Sequence, residues 1–330
     1  MIKVIVVIAT YNGEDFLWEQ LLSIHNQSRQ PDEIIINDDK SSDKTIDIIK
    51  KFSLFTNIKV NFAQNTQNIG YAKNFEKGYS QADGDYIFPC DQDDVWFNEK
   101  IETLLNFIFN HPNYNVYVHD VILTDSELLH NNVTKLQMLN ASNLGVYQHG
   151  MGCATVIRGA FLKACLPFPT SIKGHDNWIN ALAIATGTFV FTPNVLQYYR
   201  RHDKNTSLIS SNSFTARKIK SIFLQFKFLD KINLRNEKIF HANIYSKLKT
   251  FKRKEVLSYN KNILDETLIY YKIEEILAKK YKKKSIRLIR ILVWAYFIYP
   301  SLFIEQRKEK QSFKERTKKF ILLSYIDATN

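Results

Sequence analysis

Residues 4–37 read VIVVIATYNGEDFLWEQLLSIHNQSRQPDEIIIN, and this stretch decides the fold class. Its start, VIVVIAT, is a continuous apolar run, which is typical of a strand buried on both faces of a parallel sheet. The apolar residues that follow recur at helical spacing: Phe16, Leu17, Leu21, Leu22 and Ile24. A second apolar run comes after Pro31, and we predict a strand over residues 33–37. Strand, helix and strand in this order predict a βαβ unit.

The same alternation continues along the chain. We predict further strands over residues 58–62, 85–88, 116–119 and 188–191, and extended chain over 197–201. We predict further helices over residues 42–52, 72–81, 99–110 and 176–185. The small-residue stretch 145–157 suggests a strand with close backbone approach, and residues 125–142 show no assignable pattern. We therefore predict an α/β fold, with a mostly parallel sheet flanked by helices and ligands bound at the carboxyl ends of its strands.

The chain has 330 residues and a net charge of +12, which is unevenly distributed. Residues 1–209 carry 17 Lys and Arg against 22 Asp and Glu, whereas residues 210–330 carry 28 against 11. The second part is almost free of Gly and Pro, so we predict a basic all-α region after a linker at 205–213. The hydrophobic content of 45% excludes disordered and low-complexity classes. The three cysteines form no CxxC pair and suit a reducing compartment: Cys90, Cys153 and Cys165.

The basic region contains a segment suited to a membrane surface. Residues 279–290, KKYKKKSIRLIR, run into the apolar aromatic segment 291–304, ILVWAYFIYPSLFI. Lysine-rich flanks around such a segment are typical of an interfacial element, and a buried hairpin or dimerisation element is the alternative. Pro300 interrupts the segment, and the N-terminus does not resemble a secretory signal. We expect a cytoplasmic protein, peripheral at the inner face of the cell membrane, with homo-oligomerisation as the alternative use of the segment and no nucleic-acid partner.

Two acidic segments follow predicted strands at the same sheet edge. In CDQDD, residues 90–94, three carboxylates within four residues repel one another unless a cation lies among them. Mg²⁺ or Mn²⁺ suits such a pair of carboxylates together with substrate phosphates; a solvated turn or helix cap is the alternative. Asp38 and Asp39 could accept hydrogen bonds from a nucleobase or a ribose. The neighbouring Ser41 to Asp43 also suit a helix cap.

Four segments in this order resemble the motifs of the family-2 glycosyltransferases. They are IATYNGEDFLWEQLLSIHNQS (8–28), DDKSSDKT (38–45), NIGYAKNF (68–75) and DQDDVW (91–96). The later segments GCATVIRGAF (152–161), GHDNW (174–178) and YYRRHDKNTS (198–207) look most like the bacterial rhamnosyltransferase branch. The resemblance implies a GT-A fold and an inverting, nucleotide-sugar-dependent activity. It also implies a catalytic domain over 1–209, with a nucleotide-sugar part at 1–98 and an acceptor part at 99–209.

The resemblance implies roles for the matching residues. Donor-binding residues would be Thr10, Tyr11, Glu14, Asp38, Asp39, Asn68, Gly70, Lys73, Asp91 and Asp94. Metal ligands would be Asp93, Asp91 and His202, and Arg200 and Arg201 would contact the diphosphate. Asp176 would be the base that takes the proton from the acceptor hydroxyl. Acceptor-binding residues would be Trp178, His175, Gly152 and Trp96.

Several of these residues also have a purely structural interpretation. Asp176, taken alone, would suit a helix N-cap. Gly150, Gly152 and Cys153 fit tight strand packing as well as the wall of an acceptor channel. Trp96 and Trp178 could each be core residues or platforms on which a sugar stacks.

The resemblance therefore implies a metal-dependent transferase that moves L-rhamnose from dTDP-rhamnose to a cell-surface polysaccharide or lipid-linked glycan. Transfer from a UDP-hexose or a UDP-N-acetylhexosamine is the alternative within the same class. A nucleotidyltransferase would need a basic, Gly-rich phosphate loop, which TYNGEDF (10–16) does not provide. A non-catalytic sugar- or lipid-binding module is the alternative outside enzymology, and the intact acidic residues argue against it.

Overall fold

The computed structural model describes residues 2–141, 146, 150–170, 172, 174–203, 242–244 and 246–251. The strands are β1 (Val4–Thr10), β2 (Glu33–Asp38), β3 (Lys59–Gln64), β4 (Tyr86–Cys90), β5 (Val95–Trp96), β6 (Val116–Thr124), β7 (Thr155–Arg158) and β8 (Phe189–Arg200). The helices are α1 (Leu17–His25), α2 (Thr45–Phe55), α3 (Tyr71–Gln81), α4 (Lys100–Asn110), α5 (Lys135–Ala141), α6 (Gly159–Cys165) and α7 (His175–Ala185), with a 3₁₀ turn at Gly152–Ala154.

The described strands form one mixed sheet in the order β3-β2-β1-β4-β7-β6-β8-β5. The first four are parallel neighbours. β7 is antiparallel to both β4 and β6, and β8 is parallel to β6 and antiparallel to β5. The predicted α/β fold is confirmed, and the parallel arrangement is continuous over β1 to β4.

β1 lies in the middle of the parallel half and is buried on both faces. Val4, Val6 and Ile8 pack into one apolar cluster with residues of α1, α2 and α4. On the other face, a Cβ at Gly78 of α3 would lie 2.6 Å from Cγ1 of Val7, so this glycine lets the helix approach the strand. Each fully buried aliphatic side chain contributes about 1.5–3 kcal/mol, which explains why VIVVIAT is continuously apolar.

The strands of the second half of the sheet, β5 to β8, differ from those predicted from the sequence. The strands predicted at 188–191 and 197–201 are one long strand, β8, whose register against β6 jumps from Thr192 to Val195. Pro193 and Asn194 lie at this irregularity; a proline cannot donate to the ladder, which disguises the strand in the sequence. The stretch 145–157 contains the 3₁₀ turn and only then a strand, and α5, α6 and β5 were not predicted.

One segment of the basic region is described. Residues 242–244 and 246–251 are helical, and their buried Ile244, Leu248 and Phe251 follow helical spacing. Lys247 Nζ donates to the carbonyl of Leu166 at 2.7 Å, and the Phe251 ring lies 6.0 Å from that of Phe161 in α6.

This helical segment belongs to a first compact unit, Met1–Leu268, and a second unit spans Ile269–Asn330. The boundary predicted at residue 209 stays a prediction. The predicted linker and the segment 279–304 lie outside the described residues. Among the helices that are described, none is long and apolar enough to cross a bilayer.

Candidate active site

Four loops leave the carboxyl ends of the parallel strands and meet at one edge of the sheet. They follow β1, β2, β3 and β4, and they span residues 11–16, 39–44, 65–70 and 91–94. The predicted donor residues lie on or directly beside these loops, as do Asp91 and Asp93, whereas His202 follows β8. Because strands pair in register, for example Thr10 with Asp38, their final residues lie side by side.

Asp38 at the end of β2 is buried and supports the loop from within the protein. Its carboxylate accepts hydrogen bonds from Thr10 Oγ1 at 2.9 Å, Ser41 N at 2.8 Å, Ser41 Oγ at 2.5 Å and Gln64 Nε2 at 3.1 Å. Asp38 and Thr10 are 0% and 1% exposed. The structure therefore places both beneath the ligand-facing surface, where they support the loop rather than contact a donor.

Asp39 shapes the loop that precedes α3. Its carboxylate accepts hydrogen bonds from the backbone N–H groups of Ile69 and Gly70 at 2.8 Å and from Asn65 Nδ2 at 2.9 Å. Gly70 has a φ of +84°, a conformation that suits glycine. Asn68 is exposed, and its Oδ1 also accepts from the Gly70 N–H at 3.1 Å. Asp39 thus sets the position of the residues that begin α3.

Gln92 joins the acidic loop to the first loop. Its Oε1 accepts from the Tyr11 N–H at 2.8 Å and its Nε2 donates to the Tyr11 carbonyl at 3.0 Å. A Cβ at Gly13 would lie 2.4 Å from Gln92 Oε1, so a larger residue at position 13 would displace the Gln92 side chain from this position. The Tyr11 side chain remains 48% exposed at this edge. Glu14 turns away from it, because its Oε2 accepts from the Lys44 N–H at 3.1 Å next to α2.

Asp93 and His202 meet across the site, although they are far apart in sequence. His202 Nε2 lies 2.9 Å from Asp93 Oδ2, and both side chains are largely buried. Burial, followed by the negative charge of Asp93, raises the pKa of the neighbouring Asp91 carboxyl to about 7. Asp93 therefore meets His202 directly, and its charge acts on the neighbouring Asp91.

Asp94 points into the protein instead. It is 0% exposed, and it accepts hydrogen bonds from Gln197 Nε2 at 2.8 Å and from the Arg200 N–H at 3.1 Å. Burial raises its pKa well above the usual range, and the charges of Asp93 and Asp91 add to this effect. The side chain therefore anchors β8, and the expected contact of Asp94 with the donor sugar stays a prediction.

Lys100 is a buried cation beneath the acidic loop. Its Nζ donates to Gln197 Oε1 at 2.5 Å and to the Cys153 carbonyl at 3.0 Å, and it lies 3.8 Å from the centre of the Trp96 ring. Burial lowers its pKa to about 8, opposed by nearby groups that include Asp94. Its partner Gln197 also binds Asp94, so Lys100 holds the underside of the loop in place.

Arg200 packs against the acidic loop. Its side chain is 4% exposed, donates from Nε to the Asp93 carbonyl at 2.8 Å, pairs with Glu19 and lies over the Phe16 ring. These contacts hold Arg200 against the acidic loop, and its expected contact with a diphosphate stays a prediction. Arg201 is half-buried, and its guanidinium lies 5.7 Å from the centre of the Tyr199 ring.

The oxygen and nitrogen ligands present fit a hard divalent cation. Asp91 and Asp93 supply carboxylates, and His202 supplies the ring nitrogen that faces Asp93. A second group consists of Asp91, Asp94 and Cys153, whose ligand atoms lie within 4.8 Å of one another. That second group suits Mg²⁺ or Mn²⁺ less well, because these ions prefer oxygen to thiol and because Asp94 already has protein donors.

Asp176 lies in the first turn of α7 and is half-buried. Its Oδ1 accepts the N–H of the next residue, Asn177, at 2.8 Å. The N-cap of α7 is Gly174 and the helix has no side-chain cap hydrogen bond, so the interpretation of Asp176 as the N-cap is wrong. The negative charge of Asp176 contributes to the raised pKa of Asp91, after burial and the charge of Asp93. The predicted base and the predicted metal loop therefore face the same space.

His175 is buried beneath this turn. Its Nδ1 is joined by a 2.9 Å hydrogen bond to Tyr79 Oη of α3, and its ring stacks on Phe75 at 4.0 Å between centroids. Burial lowers its pKa to about 4, so the ring is neutral at ordinary pH. A Cβ at Gly152 would lie 2.6 Å from His175 Cε1. His175 and Gly152 thus pack beneath the turn that carries Asp176, and their expected contacts with an acceptor stay predictions.

The two predicted tryptophan platforms are core residues. Trp96 and Trp178 are 2% and 1% exposed. Trp178 Nε1 donates to the Cys165 carbonyl at 3.1 Å, which fixes α7 to α6. Neither ring presents a face to a sugar, so the acceptor-stacking prediction is wrong for both. Gly150 similarly serves packing, because its carbonyl accepts from Asn180 Nδ2 at 2.8 Å.

Sequence reasoning missed residues that complete the site. Gln92 and Tyr71 lie within the quoted motifs, where their polar and aromatic character was a usable signal. Lys100 and Tyr79 lie in helices among apolar residues, and nothing in the sequence around them marks them as site residues. Tyr71 is 42% exposed, while its pKa is raised by burial of part of the side chain and by the charges of Asp176 and Asp91.

Comparison with known families places this arrangement in context. Residues 5–162 match the model of the family described as glycosyl transferase family 2. The chain is 35% identical over 210 residues to the dTDP-rhamnosyl transferase RfbG of Shigella flexneri, a match that covers 60% of this chain and 72% of that protein. It is 29% identical over 241 residues to WfaP of Escherichia coli, named as a UDP-Glc:alpha-D-GlcNAc-diphosphoundecaprenol beta-1,3-glucosyltransferase, covering 70% of this chain and 86% of the relative.

Solved structures with the same fold include TarS of Staphylococcus aureus. Residues 1–349 of TarS in complex with UDP-GlcNAc superpose with a TM-score of 0.55 at 17% identity, covering 84% of this chain and 73% of that one. At this identity the likeness concerns the fold, and it confirms the predicted GT-A architecture.

Proposed function

Because this chain belongs to glycosyltransferase family 2, we propose that it transfers L-rhamnose from dTDP-rhamnose to a hydroxyl of a cell-surface polysaccharide or lipid-linked glycan. The observation that carries the proposal is the meeting of two acidic groups at one sheet edge. Asp91 and Asp93, with His202, form one group, and Asp176 on α7 forms the other. This arrangement suits a donor diphosphate on one side and an acceptor hydroxyl on the other.

The chemistry follows from the placement of Asp176. The acceptor oxygen attacks the anomeric carbon while its proton passes to the Asp176 carboxylate, and the bond from that carbon to the diphosphate oxygen breaks. Attack from the side opposite the leaving group inverts the anomeric configuration. A positioned base of this kind contributes about 10²–10⁴-fold to the rate. His175, which packs beneath Asp176, is neutral at ordinary pH and therefore adds no charge next to the Asp176 carboxylate.

A divalent cation held by Asp91, Asp93 and His202 would supply neutralisation of the charge that develops on the leaving diphosphate. The chain's own contribution is to hold Asp93 against His202 and to fix the loop that carries Asp91 and Asp93. Gln92 ties the loop to Tyr11, and Asp94 anchors it to β8. Both connections lie directly beside the ligands, so they set the spacing of the ligands before any donor binds.

The choice of dTDP-rhamnose is supported by the 35% identity to RfbG over most of that relative. A UDP-sugar is the second candidate donor. It is favoured by the names of two similar proteins, WfaP, a UDP-Glc-dependent enzyme, and TarS, solved with UDP-GlcNAc. The two donors share the diphosphate and differ in the base and the sugar.

We also propose that the enzyme works at the inner face of the cell membrane. The net charge of +17 over residues 210–330 and the KKYKKKSIRLIR segment at 279–290 support binding to anionic lipid. A lipid-linked acceptor would be reached at that surface. The alternative is that residues 291–304 form a dimer contact. Sedimentation with anionic vesicles separates the two, because only the membrane-binding protein should sediment with the vesicles.

The test is a calorimetric titration of the full chain with dTDP-rhamnose, UDP-glucose, UDP-galactose and UDP-N-acetylglucosamine, each with and without Mn²⁺. We expect dTDP-rhamnose to bind most tightly and Mn²⁺ to strengthen the binding. Preference for a UDP-sugar would replace the donor and keep the mechanism. Binding of no nucleotide sugar would contradict the proposal as a whole.

Asp176→Asn separates binding from chemistry. This variant should bind donor and Mn²⁺ like the wild type and lose transfer by about 10²–10⁴-fold, because the amide cannot take the proton. Normal transfer by Asp176→Asn would show that another group is the base.

A further inference from the structure

A groove of about 280 Å³ lies beside the candidate active site. It is lined on one side by the start of α3 and the loop before it, and on the other by the loop before α7: Ile69, Gly70, Tyr71, Ala72, Lys73, Pro169, Thr170 and Ile172. Pockets for drug-sized ligands begin at ~300 Å³. The groove therefore suits a single ring rather than a long chain.

We propose that this groove is an acceptor subsite in which a neutral sugar ring stacks on Tyr71. The proposal rests on the proposed function and deepens it. Tyr71 offers the exposed aromatic face of the groove, with 42% of its surface accessible. Sugars present patches of C–H bonds that pack well against such a face, while their hydroxyls bond to polar groups at the edge.

Tyr71 connects the groove to the predicted base. A Cβ at Gly174 would lie 3.1 Å from Tyr71 Oη and 2.5 Å from Asp176 Oδ1, so both oxygens are close to the same backbone position. The charges of Asp176 and Asp91 both act on the Tyr71 hydroxyl. A sugar lying on Tyr71 would thus have its edge directed towards the carboxylate that takes the acceptor proton.

The position of Tyr71 is set by residues already described. Asp39 holds the N–H groups of Ile69 and Gly70, directly before it. On the other side, the ring makes an edge contact with the buried His175, at 6.3 Å between centroids. The platform is therefore ordered in the absence of a ligand, which reduces the entropy cost of binding.

The electrostatics of the groove favour a neutral ring over a phosphate. Lys73, the cation among the described lining residues, forms an ion pair with Glu76, and Glu76 also accepts the N–H of Phe168 at 2.6 Å. The positive charge at this edge is thus compensated. A diphosphate would meet no net positive charge here, whereas a neutral sugar pays no such penalty.

The test measures binding of simple sugars by NMR saturation transfer from the full-length protein. The probes are methyl α-L-rhamnoside, methyl β-D-galactoside and methyl β-D-N-acetylglucosaminide, each in the presence of Mn²⁺ and dTDP. We expect the wild type to bind at least one probe. Tyr71→Ala should weaken that binding by about three- to tenfold through loss of the aromatic face, and Tyr71→Phe should retain it.

Two further variants make the result specific to the groove. Thr170→Trp fills the groove from the opposite wall at an exposed position, so it should abolish probe binding without changing the fold. Phe109→Ala removes an aromatic side chain that is 82% exposed on α4, and probe binding should be unchanged.

Donor titrations on the same variants separate this proposal from the proposed function. Unchanged nucleotide-sugar affinity in Tyr71→Ala, with weakened probe binding, is the expected pattern. Absence of probe binding in the wild type, or equal binding in Thr170→Trp, would overturn the subsite. Loss of donor affinity in Tyr71→Ala would instead place Tyr71 in the donor site. Failure of every nucleotide sugar to bind the wild type would reject the proposed function itself.

Discussion

The loops at 38–45 and 90–94 are both acidic and lie at the same sheet edge, but the environments of their carboxylates differ. Asp38 and Asp39 receive hydrogen bonds from backbone N–H groups and from side chains on β1 and β3 or the loops that follow them. Asp91 lies beside the charge of Asp93, and its pKa is raised. The first loop is therefore complete within the protein, whereas the second has charge left for a cation. The same residue type supports structure in one loop and suits ligand binding in the other.

The largest expected effect concerns the self-contained loop. Asp38→Asn should lower the free energy of unfolding by about 2–4 kcal/mol, because the amide nitrogen cannot accept from the donors that face the carboxylate. Urea unfolding of the metal-free protein measures this. Asp47→Asn, at an exposed position in the first turn of α2, is the control and should cost less than about 1 kcal/mol. An unchanged stability of Asp38→Asn, with altered donor affinity, would make Asp38 a ligand-binding residue.

The next effect concerns the charged loop and its cation. Asp93→Asn should weaken Mn²⁺-dependent binding of the nucleotide sugar by at least about 10–100-fold, which is the usual effect of changing even a supporting residue of a metal site. Calorimetry with Mn²⁺, and again with a chelator, measures it. Asp203→Asn, one residue beyond His202 and exposed, is the matched control. An equal loss of affinity in the presence of chelator would show that Asp93 acts without a metal ion.

A third variant tests the contrast directly, because its sign should be opposite to that of Asp38→Asn. Asp91→Asn removes one of two neighbouring like charges, so it should raise the unfolding free energy of the metal-free protein by about 1–2 kcal/mol. It should also remove the stabilisation that Mn²⁺ gives the wild type. Urea unfolding with and without Mn²⁺ gives both quantities. Destabilisation of metal-free Asp91→Asn would mean that the loop is as internally compensated as its neighbour.

The smallest effect is a pH dependence that arises from His175. Its pKa in the folded protein is about 4, below the ordinary value of 6.5. The unfolded chain therefore binds the proton first as the pH falls, and stability is lost below about pH 6.5. Between pH 7 and pH 5.5 the wild type should lose about 1 kcal/mol more than His175→Gln. Identical pH profiles for the two proteins would show that the ring is protonated as easily in the folded state.

The sequence predicted the parallel half of the fold well, and for a specific physical reason. VIVVIAT and EIIIN are buried on both faces, so nearly every residue must be apolar and the pattern is visible without knowing the neighbours. The long strand β8 was divided in prediction because Thr192, Pro193 and Asn194 interrupt its apolar pattern. Its continuity depends on pairing with β6 on either side of that irregularity, which is information from another part of the chain.

The site shows the same division. Motif order was enough to bring Asp39, Asp91, Asp93, Asp176 and His202 to one edge. The resemblance assigned Asp93 to the metal and Asp94 to the donor, but it gave no sign that Asp93 meets His202 while Asp94 is buried against Gln197. Side-chain direction alternates along the chain, and which of two adjacent carboxylates faces the ligand depends on β8.

By itself, the sequence determined the family, the α/β class and the collection of acidic loops at one sheet edge, because buried strands and short motifs are local properties of the chain. The tertiary structure alone decided which polar residues are available. It buried Trp96, Trp178, Arg200 and Asp94, and it left Tyr71 exposed beside Asp176. Burial and hydrogen-bond compensation depend on residues distant in sequence, so the same residue type becomes a support in one place and a candidate binding group in another.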